Sequence, residues 1–466
     1  MKTEKLTGTT EKRVALLVAG LTAFLTPFMG SAVNVALPAI GRDFGANAIL
    51  LSWVASAYLL MAAVFLVPFG RLADIMGRKK IFVAGILIFS GASLLCAAAP
   101  SAMMLIVFRV FQALGSAMIF ATGVAIITSV FPVGERGAAM GITVASTYTG
   151  LSIGPFVGGI LTAHLGWRSI FWLTVPLGLA TAYLTVKKFK GEWAEAKGES
   201  FDWPGAILYG ISLIFIMYGF SLLPGLTGAI LIFSGLVGIV IFIGRELKIE
   251  HPVLDIRLFK LNRVFTFSNL AALIHYSATF GVAFLLSLYL QYIKGLSPQQ
   301  AGLILVAQPV VMALFSPLMG RLSDRIEPRL VASMGMAITF VGLCPFVFLA
   351  NNTGLTWIMG NLMLLGLGFA FFSSPNTNAV MSSVARRSFG IASATIATMR
   401  VLGQMFSMGI AMLLFALFIG RVEIQPANYP QFLVSVKTAF TIFALLCFVG
   451  IFFSLSRGKV SRRDTP

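Results

Sequence analysis

Fourteen apolar stretches, each long enough to cross a membrane, constrain this chain more than any other feature. A spanning helix needs about 20 predominantly apolar residues. Such runs centre near residues 25, 60, 90, 114, 150, 177, 213, 235, 278, 308, 340, 366, 405 and 445. The mean hydropathy of +0.93 is typical of polytopic membrane proteins and not of soluble domains. We therefore expect an all-α polytopic membrane protein with fourteen spans, numbered 1 to 14 below.

The distribution of positive charge predicts the orientation of these spans. Of the 34 Lys and Arg residues, 27 fall in the N-terminal segment or in every second segment after it, and only 5 fall in the remaining segments. Arg109 and Arg400 lie within spans. Because cytoplasmic loops carry the excess of Lys and Arg, both termini are predicted to be cytoplasmic. The formal net charge of +18 then reflects orientation, and we expect no nucleic-acid partner.

A charged motif occurs twice, 250 residues apart. "GRLADIMGRKK" at 70–80 follows span 2, and "GRLSDRIEPR" at 320–329 follows span 10. Internal repeats of this kind are typical of secondary transporters. The repeat predicts two six-helix bundles, residues 1–188 and 263–466. Residues 189–262 would then form a linker that carries two extra central spans, 7 and 8.

The repeated motif has residues suited to a gate. Glycines let the chain reverse within a few residues, and an acid flanked by cations can hold a helix end in one conformation and release it in another. A static surface cluster, contributing at most about 1 kcal/mol, is the alternative. The candidate gating residues are Gly70, Asp74, Gly77, Arg78, Gly320 and Asp324.

Few ionisable residues lie inside the spans. A guanidinium in mid-span costs at least about 2.5 kcal/mol, so Arg109 should face a polar interior, with Gln112 on the same helix face. Arg109 could instead tie helices together. His275 is the only mid-span histidine, and its ordinary pKa is near neutrality, although a buried core histidine is the simpler interpretation. Asp43 lies at the outer end of span 1.

Other polar residues and a glycine-rich span complete the set of candidates. The residues predicted to line a substrate cavity are Asn34, Gln308, Asn361, Asn376, Arg400 and Gln404. Helix-to-helix hydrogen bonding is the alternative for each of them. Span 5 is suited to a bend or to close helix packing, since it contains Gly150, Gly154, Pro155, Gly158 and Gly159.

The residue types that the spans lack argue against several classes of function. None of the sixteen acids lies in mid-membrane, and the three cysteines show no CxxC spacing. An intramembrane enzyme would need paired acids, a Ser/His dyad or a His-rich metal site. The absence of buried acids and the single mid-span histidine argue against all of these but the dyad, and we expect no enzyme, no metal and no cofactor. Two cationic side chains without a buried counter-acid favour neutral, zwitterionic or anionic amphiphilic substrates over dications.

Five stretches resemble the major facilitator superfamily and, within it, the fourteen-helix drug:proton antiporters. They are the loop 70–80, "RVFQALGSA" at 109–117, "GLSIGPFVGG" at 150–159, "WRSIFWLTVPLG" at 167–178 and "SSPNTNAVMSSV" at 373–384. The chain departs from the pattern at "MGSAVNVALP", where Met29 replaces the aspartate usual in exporters of organic cations.

The resemblance implies a secondary transporter of the cell membrane that exports amphiphilic compounds or drugs by alternating access, in exchange for protons. Asp74 would hold the gate near Arg386 and Arg387, and the span 5 glycines would act as a hinge. The coupling residues would be drawn from Arg109, Gln112, His275 and Asp43. A specific metabolite exporter or importer without proton coupling is the alternative. The expected partners are a small-molecule substrate, protons and the lipid bilayer, with the protein a monomer.

Overall fold

The computed structural model describes residues 2–131, 136–189, 191–254, 256–384 and 389–458. In this part of the chain every regular element is helical, and no strand is present. Within these described ranges, fourteen helices are long and apolar enough to cross a membrane. Each contains one of the centres predicted from the sequence, so the prediction of an all-α, fourteen-span protein is confirmed.

The spans are numbered α1–α14. The first eight are α1 (Lys2–Phe44), α2 (Ala48–Met76), α3 (Arg78–Ala97), α4 (Ala102–Val130), α5 (Arg136–Leu165), α6 (Arg168–Lys188), α7 (Trp203–Leu222) and α8 (Leu226–Glu246). A short helix, Arg257–Leu261, precedes the remaining six. These are α9 (Arg263–Leu288, continued by a π-helical turn, Tyr289–Ile293), α10 (two segments, Pro298–Leu305 and Ala307–Arg325), α11 (Pro328–Leu343), α12 (Leu355–Ser382), α13 (Phe389–Phe418) and α14 (Tyr429–Leu455).

Local capping explains where several helices begin. The Asn47 side chain accepts a hydrogen bond from Leu50 N (2.8 Å) at the start of α2, and Ser101 accepts one from Met104 N (3.2 Å) at the start of α4. Ser297 and Gln300 form a capping box at the start of α10. Each cap satisfies backbone N–H groups that the first helical turn leaves without partners.

The helix pairings of the first six spans recur eight spans later. In the first set, α1 packs on α5, α2 on α4, and α3 on α4 and α6. In the second, α9 packs on α13, α10 on α12, and α11 on α12 and α14. Equivalent glycines allow close approaches in both sets: a Cβ on Gly85 would lie 3.0 Å from Gly115 O, and one on Gly368 would lie 3.0 Å from Gly335 O. The repeat seen in the sequence is thus repeated in the packing.

Two helix pairs make the largest contacts between these sets, and α7 lies beside one of them. α2 packs on α13, and α5 packs on α10. α7 contacts α8, α2 and α13: Tyr209 Oη donates to Ala63 O of α2 (3.2 Å), and a Cβ on Gly409 of α13 would lie 2.8 Å from the Phe220 ring. We call the end of the bundle that carries the start of α1, the α2–α3 turn and the end of α14 the terminal face, and the other end the opposite face.

The glycines of α5 form a close seam against α1. A Cβ on Gly150 would overlap the carbonyl oxygen of Phe24, and one on Gly154 would overlap the Ser31 hydroxyl. A Cβ on Gly158 would lie 2.8 Å from Ala32 Cα. Small residues at such a seam let two backbones approach closely, which is how helices gain packing energy in lipid. Pro155 lies within the continuous helix α5.

Gly150→Ala should lower the midpoint of thermal unfolding in detergent. The added methyl group meets backbone and not a mobile side-chain end, and such overpacking costs about 1–3 kcal/mol. Gly141→Ala is the matched control, since a Cβ at this exposed position of the same helix meets nothing within 4 Å. Its midpoint should stay equal or rise, because Ala favours helix over Gly by about 1 kcal/mol. Equal midpoints for the two variants would contradict this seam.

Candidate functional site

A central cavity lies between the two sets of six helices. Its volume is about 170 Å³, and it is lined by α1, α2, α4 and α5 on one side and by α9, α10, α12 and α13 on the other. Four predicted residues line it together: Asn34, Gln308, Arg400 and Gln404. Six aromatic residues line it as well, namely Tyr58, Phe120, Tyr148, Tyr276, Phe280 and Phe369. Sequence reasoning did not identify these rings as cavity residues, because an aromatic residue in an apolar span has no pattern that separates lining from packing.

Arg400 is the charged group of this cavity. Among the described lining residues it is the only cation, and none is a carboxylate. Its guanidinium lies over the Phe120 ring, 5.8 Å from the ring centre. In a low-dielectric site a cation without a counter-charge attracts oxygen atoms and anions and repels other cations. The cavity therefore suits substrates that are neutral or negatively charged and that offer flat faces to the rings.

Arg109 lies one layer behind the cavity. It is 1% exposed and is not among the lining residues. Its Nη1 donates to Gln112 Oε1 (2.6 Å), its Nε donates to Val54 O (3.2 Å), and the guanidinium stacks over the Tyr58 ring at 4.2 Å. Neutral dipoles and a ring face thus solvate this buried charge. Tyr58, which does line the cavity, is the side chain through which Arg109 reaches it.

The Arg109 group extends as a chain of hydrogen bonds. Gln112 Nε2 donates to Ser93 Oγ (2.7 Å), which donates to Phe89 O. On the cavity side, Tyr58 Oη donates to Ser116 Oγ (2.7 Å). The predicted pair of Arg109 and Gln112 therefore belongs to a network that joins α2, α3 and α4.

Two predicted coupling residues lie elsewhere. His275 is fully buried, with its ring stacked on Phe372 at 4.0 Å and edge-on to Phe369 at 4.9 Å, and neither ring nitrogen has a hydrogen-bond partner among the described residues. Asp43 is at the opposite face, where it accepts hydrogen bonds from Arg168 Nη1 (2.7 Å) and Trp167 Nε1 (3.1 Å). The structure does not bring either residue to the central cavity.

Two predicted cavity residues also point away from it. Asn361 donates to Trp357 O, one turn back on its own helix α12 (3.0 Å). Asn376 accepts a hydrogen bond from Arg457 Nη1 (3.0 Å) near the terminal face. Helix periodicity alone cannot tell which side of α12 faces the cavity, because its polar residues, such as Asn361, Asn376 and Asn378, do not share one side of the helix.

Arg457 is a buried cation that sequence reasoning missed. It follows α14, is fully buried and donates from Nε to Ser454 O (2.8 Å) and from Nη1 to Ser268 Oγ (3.3 Å). Burial, with a smaller contribution from Arg329, lowers the pKa of Arg457 to about 10. In the sequence it reads as part of a basic, solvated terminal segment. Its carbonyl, hydroxyl and amide partners come from three helices, which no local pattern shows.

The opposite face is closed by contacts between the two sets of helices. Ser287 Oγ of α9 donates to Asn34 O of α1, and Gln291 Nε2 donates to Val35 O, both at 2.8 Å. A Cβ on Gly159 of α5 would lie 2.6 Å from Pro298 O at the start of α10. The predicted hinge glycines thus also supply a close contact across the bundle.

A second, larger cavity opens at the terminal face. We call it the vestibule; its volume is about 500 Å³, and it is lined by α2, α4, α13 and the segments that precede α7 and follow α8. Gly70, Asp74 and Arg78 of the predicted gate line it. Phe120 lines both the vestibule and the central cavity. The bundle is therefore open toward the terminal face and closed at the opposite face.

Three acids of the α6–α7 linker hold the α2–α3 turn, and the sequence showed them only as part of a charged linker. Glu192 accepts the backbone N–H groups of Lys79 (2.8 Å) and Lys80 (3.2 Å), and Glu195 forms an ion pair with Arg78 (2.8 Å). Glu199 forms an ion pair with Arg71, whose hydrogen bond holds the pKa of Glu199 below its ordinary value.

These contacts order the residues of the predicted gate. Arg78 Nη2 lies 2.8 Å from Asp74 Oδ1, and Ala196 N donates to Asp74 O (3.0 Å). Gly77 has φ +117°, a conformation that favours glycine, and a Cβ there would meet the Glu192 carboxyl group. The predicted partners Arg386 and Arg387 lie outside the described residues, as does the side chain of Asp324. Gly320 lies within the second segment of α10.

Comparison with known proteins agrees with this arrangement. The family model described as Major Facilitator Superfamily matches residues 19–251 and 269–465. The riboflavin transporter RibZ of Clostridioides difficile is 31% identical over 452 residues, 95% of this chain and 96% of the relative. The multidrug resistance protein Stp of Mycobacterium tuberculosis is 30% identical over 397 residues, 84% of this chain and 73% of the relative.

A solved structure shares the fold. A bacterial homologue of the human lysosomal transporter Spinster, crystallised in an inward-facing and unoccupied conformation, superposes with a TM-score of 0.70. The match covers 96% of this chain and 97% of that chain at 16% sequence identity. A likeness at this identity bears on the fold alone.

Proposed function

Because the chain belongs to the major facilitator superfamily, we propose that it exports planar, amphiphilic molecules that are neutral or anionic, by alternating access through the central cavity. As a transporter of this family it is a multi-pass membrane protein with a small-molecule substrate. The charge and shape of that substrate, the direction of transport and the exchange for protons are the proposal. The proposal keeps the predicted division of the chain into two six-helix bundles, residues 1–188 and 263–466, joined by the linker 189–262.

One observation carries the proposal: six aromatic side chains and a single uncompensated cation, Arg400, line the cavity. Aromatic rings offer flat, polarisable faces that favour planar ligands, and the amides of Asn34, Gln308 and Gln404 can pair with polar ring substituents. A cationic substrate would gain ring contacts but would meet Arg400 without a neighbouring acid. This combination favours neutral or anionic heteroaromatic compounds.

The two relatives suggest how broad the substrate range is. The name of one relative specifies riboflavin, a neutral and planar compound, whereas the name of the other specifies multidrug resistance. We favour export of a class of planar amphiphiles. A carrier of one metabolite is the second candidate, supported by the likeness to the riboflavin transporter over nearly the full length of both chains.

The proposed cycle starts from the conformation described above. With both termini in the cytoplasm, the vestibule faces the cytoplasm and admits substrate past Phe120. Breaking the Ser287 and Gln291 hydrogen bonds to α1, while the vestibule closes around Asp74, would open the opposite face. We infer that the linker acids Glu192 and Glu195 keep the conformation of the α2–α3 turn unchanged during this movement.

Proton exchange, as we propose it, involves Arg109 and not His275 or Asp43. His275 contacts aromatic rings and offers no polar path, and Asp43 is engaged by Arg168 at the opposite face. Arg109 is a fixed positive charge beside Tyr58, so it disfavours a second positive charge in the adjoining cavity. The Tyr58 phenol, in contact with Arg109 and lining the cavity, is the group that would release the proton, because movement of α2 relative to α4 changes its distance from the guanidinium.

Arg400→Ala should change which charge the cavity prefers. We expect purified wild-type protein to quench the fluorescence of flavin mononucleotide and riboflavin at lower concentrations than are needed to bind ethidium, a planar cation. Loss of a charge-assisted hydrogen bond costs about 1.5–3 kcal/mol, so the variant should bind flavin mononucleotide roughly 10- to 100-fold more weakly. Arg421→Ala, in an exposed loop, is the matched control and should bind like wild type. Tighter binding of ethidium than of both flavins, unchanged by Arg400→Ala, would contradict the proposal.

Proton exchange is tested by substrate-induced proton release. Adding riboflavin to detergent-solubilised protein in unbuffered solution should acidify the solution. Arg109→Ala should abolish the acidification because the charge beside Tyr58 is removed, while Arg421→Ala, which removes an exposed cation of the loop after α13, should retain it. If riboflavin binds to wild-type protein without releasing protons, exchange is excluded although transport by alternating access is not.

A further inference from the structure

The terminal-face end of the α7–α8 hairpin contains a pair of acids that neither gate nor cavity uses. Asp202 lies immediately before α7, and Glu246 is the last residue of α8. Both are buried, Glu246 completely and Asp202 at 7% exposure. Buried acids are rare unless they are paired, so each of their oxygen atoms needs a partner.

Asp202 is the ionised member of this pair. Its carboxylate accepts hydrogen bonds from Arg245 Nη2 (2.8 Å) and Nε (3.1 Å) and from Gly205 N at the start of α7 (3.1 Å). Burial alone would raise the pKa of Asp202, but the bonds from Arg245 and Gly205 outweigh burial and hold it below its ordinary value. The cap and the cation therefore fix a negative charge at this position.

Glu246 has one satisfied oxygen atom and one without a donor. Its Oε2 accepts a hydrogen bond from Leu254 N (2.7 Å), in the segment that follows α8. Its Oε1 is buried and receives no hydrogen bond from the described residues. This atom faces Asp202: a Cβ built on Gly205 would lie 2.9 Å from Glu246 Oε1 and would overlap Asp202 Oδ2, and the two carboxyl groups are within hydrogen-bonding reach.

Two acids in contact cannot both be ionised beside one arginine without leaving a net negative charge in a buried site. We propose that Glu246 binds a proton and donates it from Oε1 to the carboxylate of Asp202, so that the α7–α8 hairpin contains a proton-binding site. This proton gives Glu246 Oε1 a hydrogen-bond partner. Arg245 then balances the one remaining negative charge, on Asp202. Ionisation of Glu246 releases the proton to the terminal face and leaves two adjacent carboxylates.

The site controls the position of residues 247–254. Glu246 holds this segment through Leu254 N, and the same segment carries His251, whose Nδ1 lies 3.0 Å from Glu199 Oε2. Glu199 in turn pairs with Arg71 at the gate. α7 also packs between α2 and α13, which belong to opposite sets of helices. Loss of the proton should therefore loosen residues 247–254 and the contact that they make with the gate.

Other charged groups nearby are few. Arg245 is the cation in contact with the pair. Among the described residues, the charged or titratable groups of the following segment and of the short helix after it are Lys248, Glu250, His251, Arg257 and Lys260, and Glu199 and Arg71 adjoin His251. Lys248 and Glu250 are exposed, so solvent screens them from the buried pair.

Infrared spectroscopy of the full-length protein in detergent tests the site without any substrate. At neutral pH, wild type should show the carbonyl band of a protonated carboxyl group, and Glu246→Gln should lack it. Glu250→Gln is the matched control: it removes an exposed acid four residues away, and the band should remain. Gln keeps the shape of a protonated Glu, because its N–H can donate to Asp202 while its oxygen accepts from Leu254. Identical spectra for wild type and Glu246→Gln would overturn the proposal.

Amide hydrogen exchange at Leu254 tests the consequence. We expect residues 247–254 to open when Glu246 loses its proton. The ratio of the Leu254 exchange rate in wild type to that in Glu246→Gln should then rise by up to about tenfold per pH unit as the pH rises. A constant ratio of the two rates across the pH range would overturn the control of residues 247–254 by Glu246. Neither measurement requires transport, so a failure here is distinct from a failure of the proposed substrate or direction.

Discussion

A charge inside a membrane-spanning bundle must be solvated by the protein itself, and this constraint shapes the molecule. With no carboxylate in the interior of the spans, the two arginines that lie within spans, Arg109 and Arg400, use neutral dipoles and ring faces. Arg109 takes Gln112, Val54 O and the Tyr58 ring, whereas Arg400 has the Phe120 ring and the space of the cavity. The cation with fewer protein partners is the one that faces the cavity, where a substrate can supply the missing atoms.

Close helix seams let the rest of the bundle divide into two parts around this cavity. Glycines of α5 bring α1 within backbone contact, and the same helix meets the start of α10 at the opposite face. At the terminal face, the vestibule separates the two sets of helices where the opposite face has helix contacts. Small residues stabilise close helix packing in lipid. The glycines of α5 can therefore hold the opposite face closed while the terminal face stays open and able to close.

The sequence predicted the fourteen helices because length and hydropathy are local properties. It also predicted that Asn34, Gln308, Arg400 and Gln404 would line a cavity together, because a polar side chain inside an apolar span is costly to expose to lipid. Asn376 and His275 followed the same reasoning but lie elsewhere, one against Arg457 and the other among aromatic rings. The linker acids and the Glu246 pair could not be predicted, since their partners lie on segments far apart in the chain and charged loops look alike before they fold.

In the proposed cycle, the two sets of helices move so that the cavity is exposed at one face at a time. Spin labels at Lys80 and Arg325, exposed on the terminal face, and at Ala98 and Asn352, exposed on the opposite face, would measure this movement in protein whose three native cysteines are replaced. On adding riboflavin under an imposed proton gradient, the distance between labels at 80 and 325 should shorten while that between labels at 98 and 352 lengthens. Unchanged distances at both faces under conditions where substrate is transported would contradict the account.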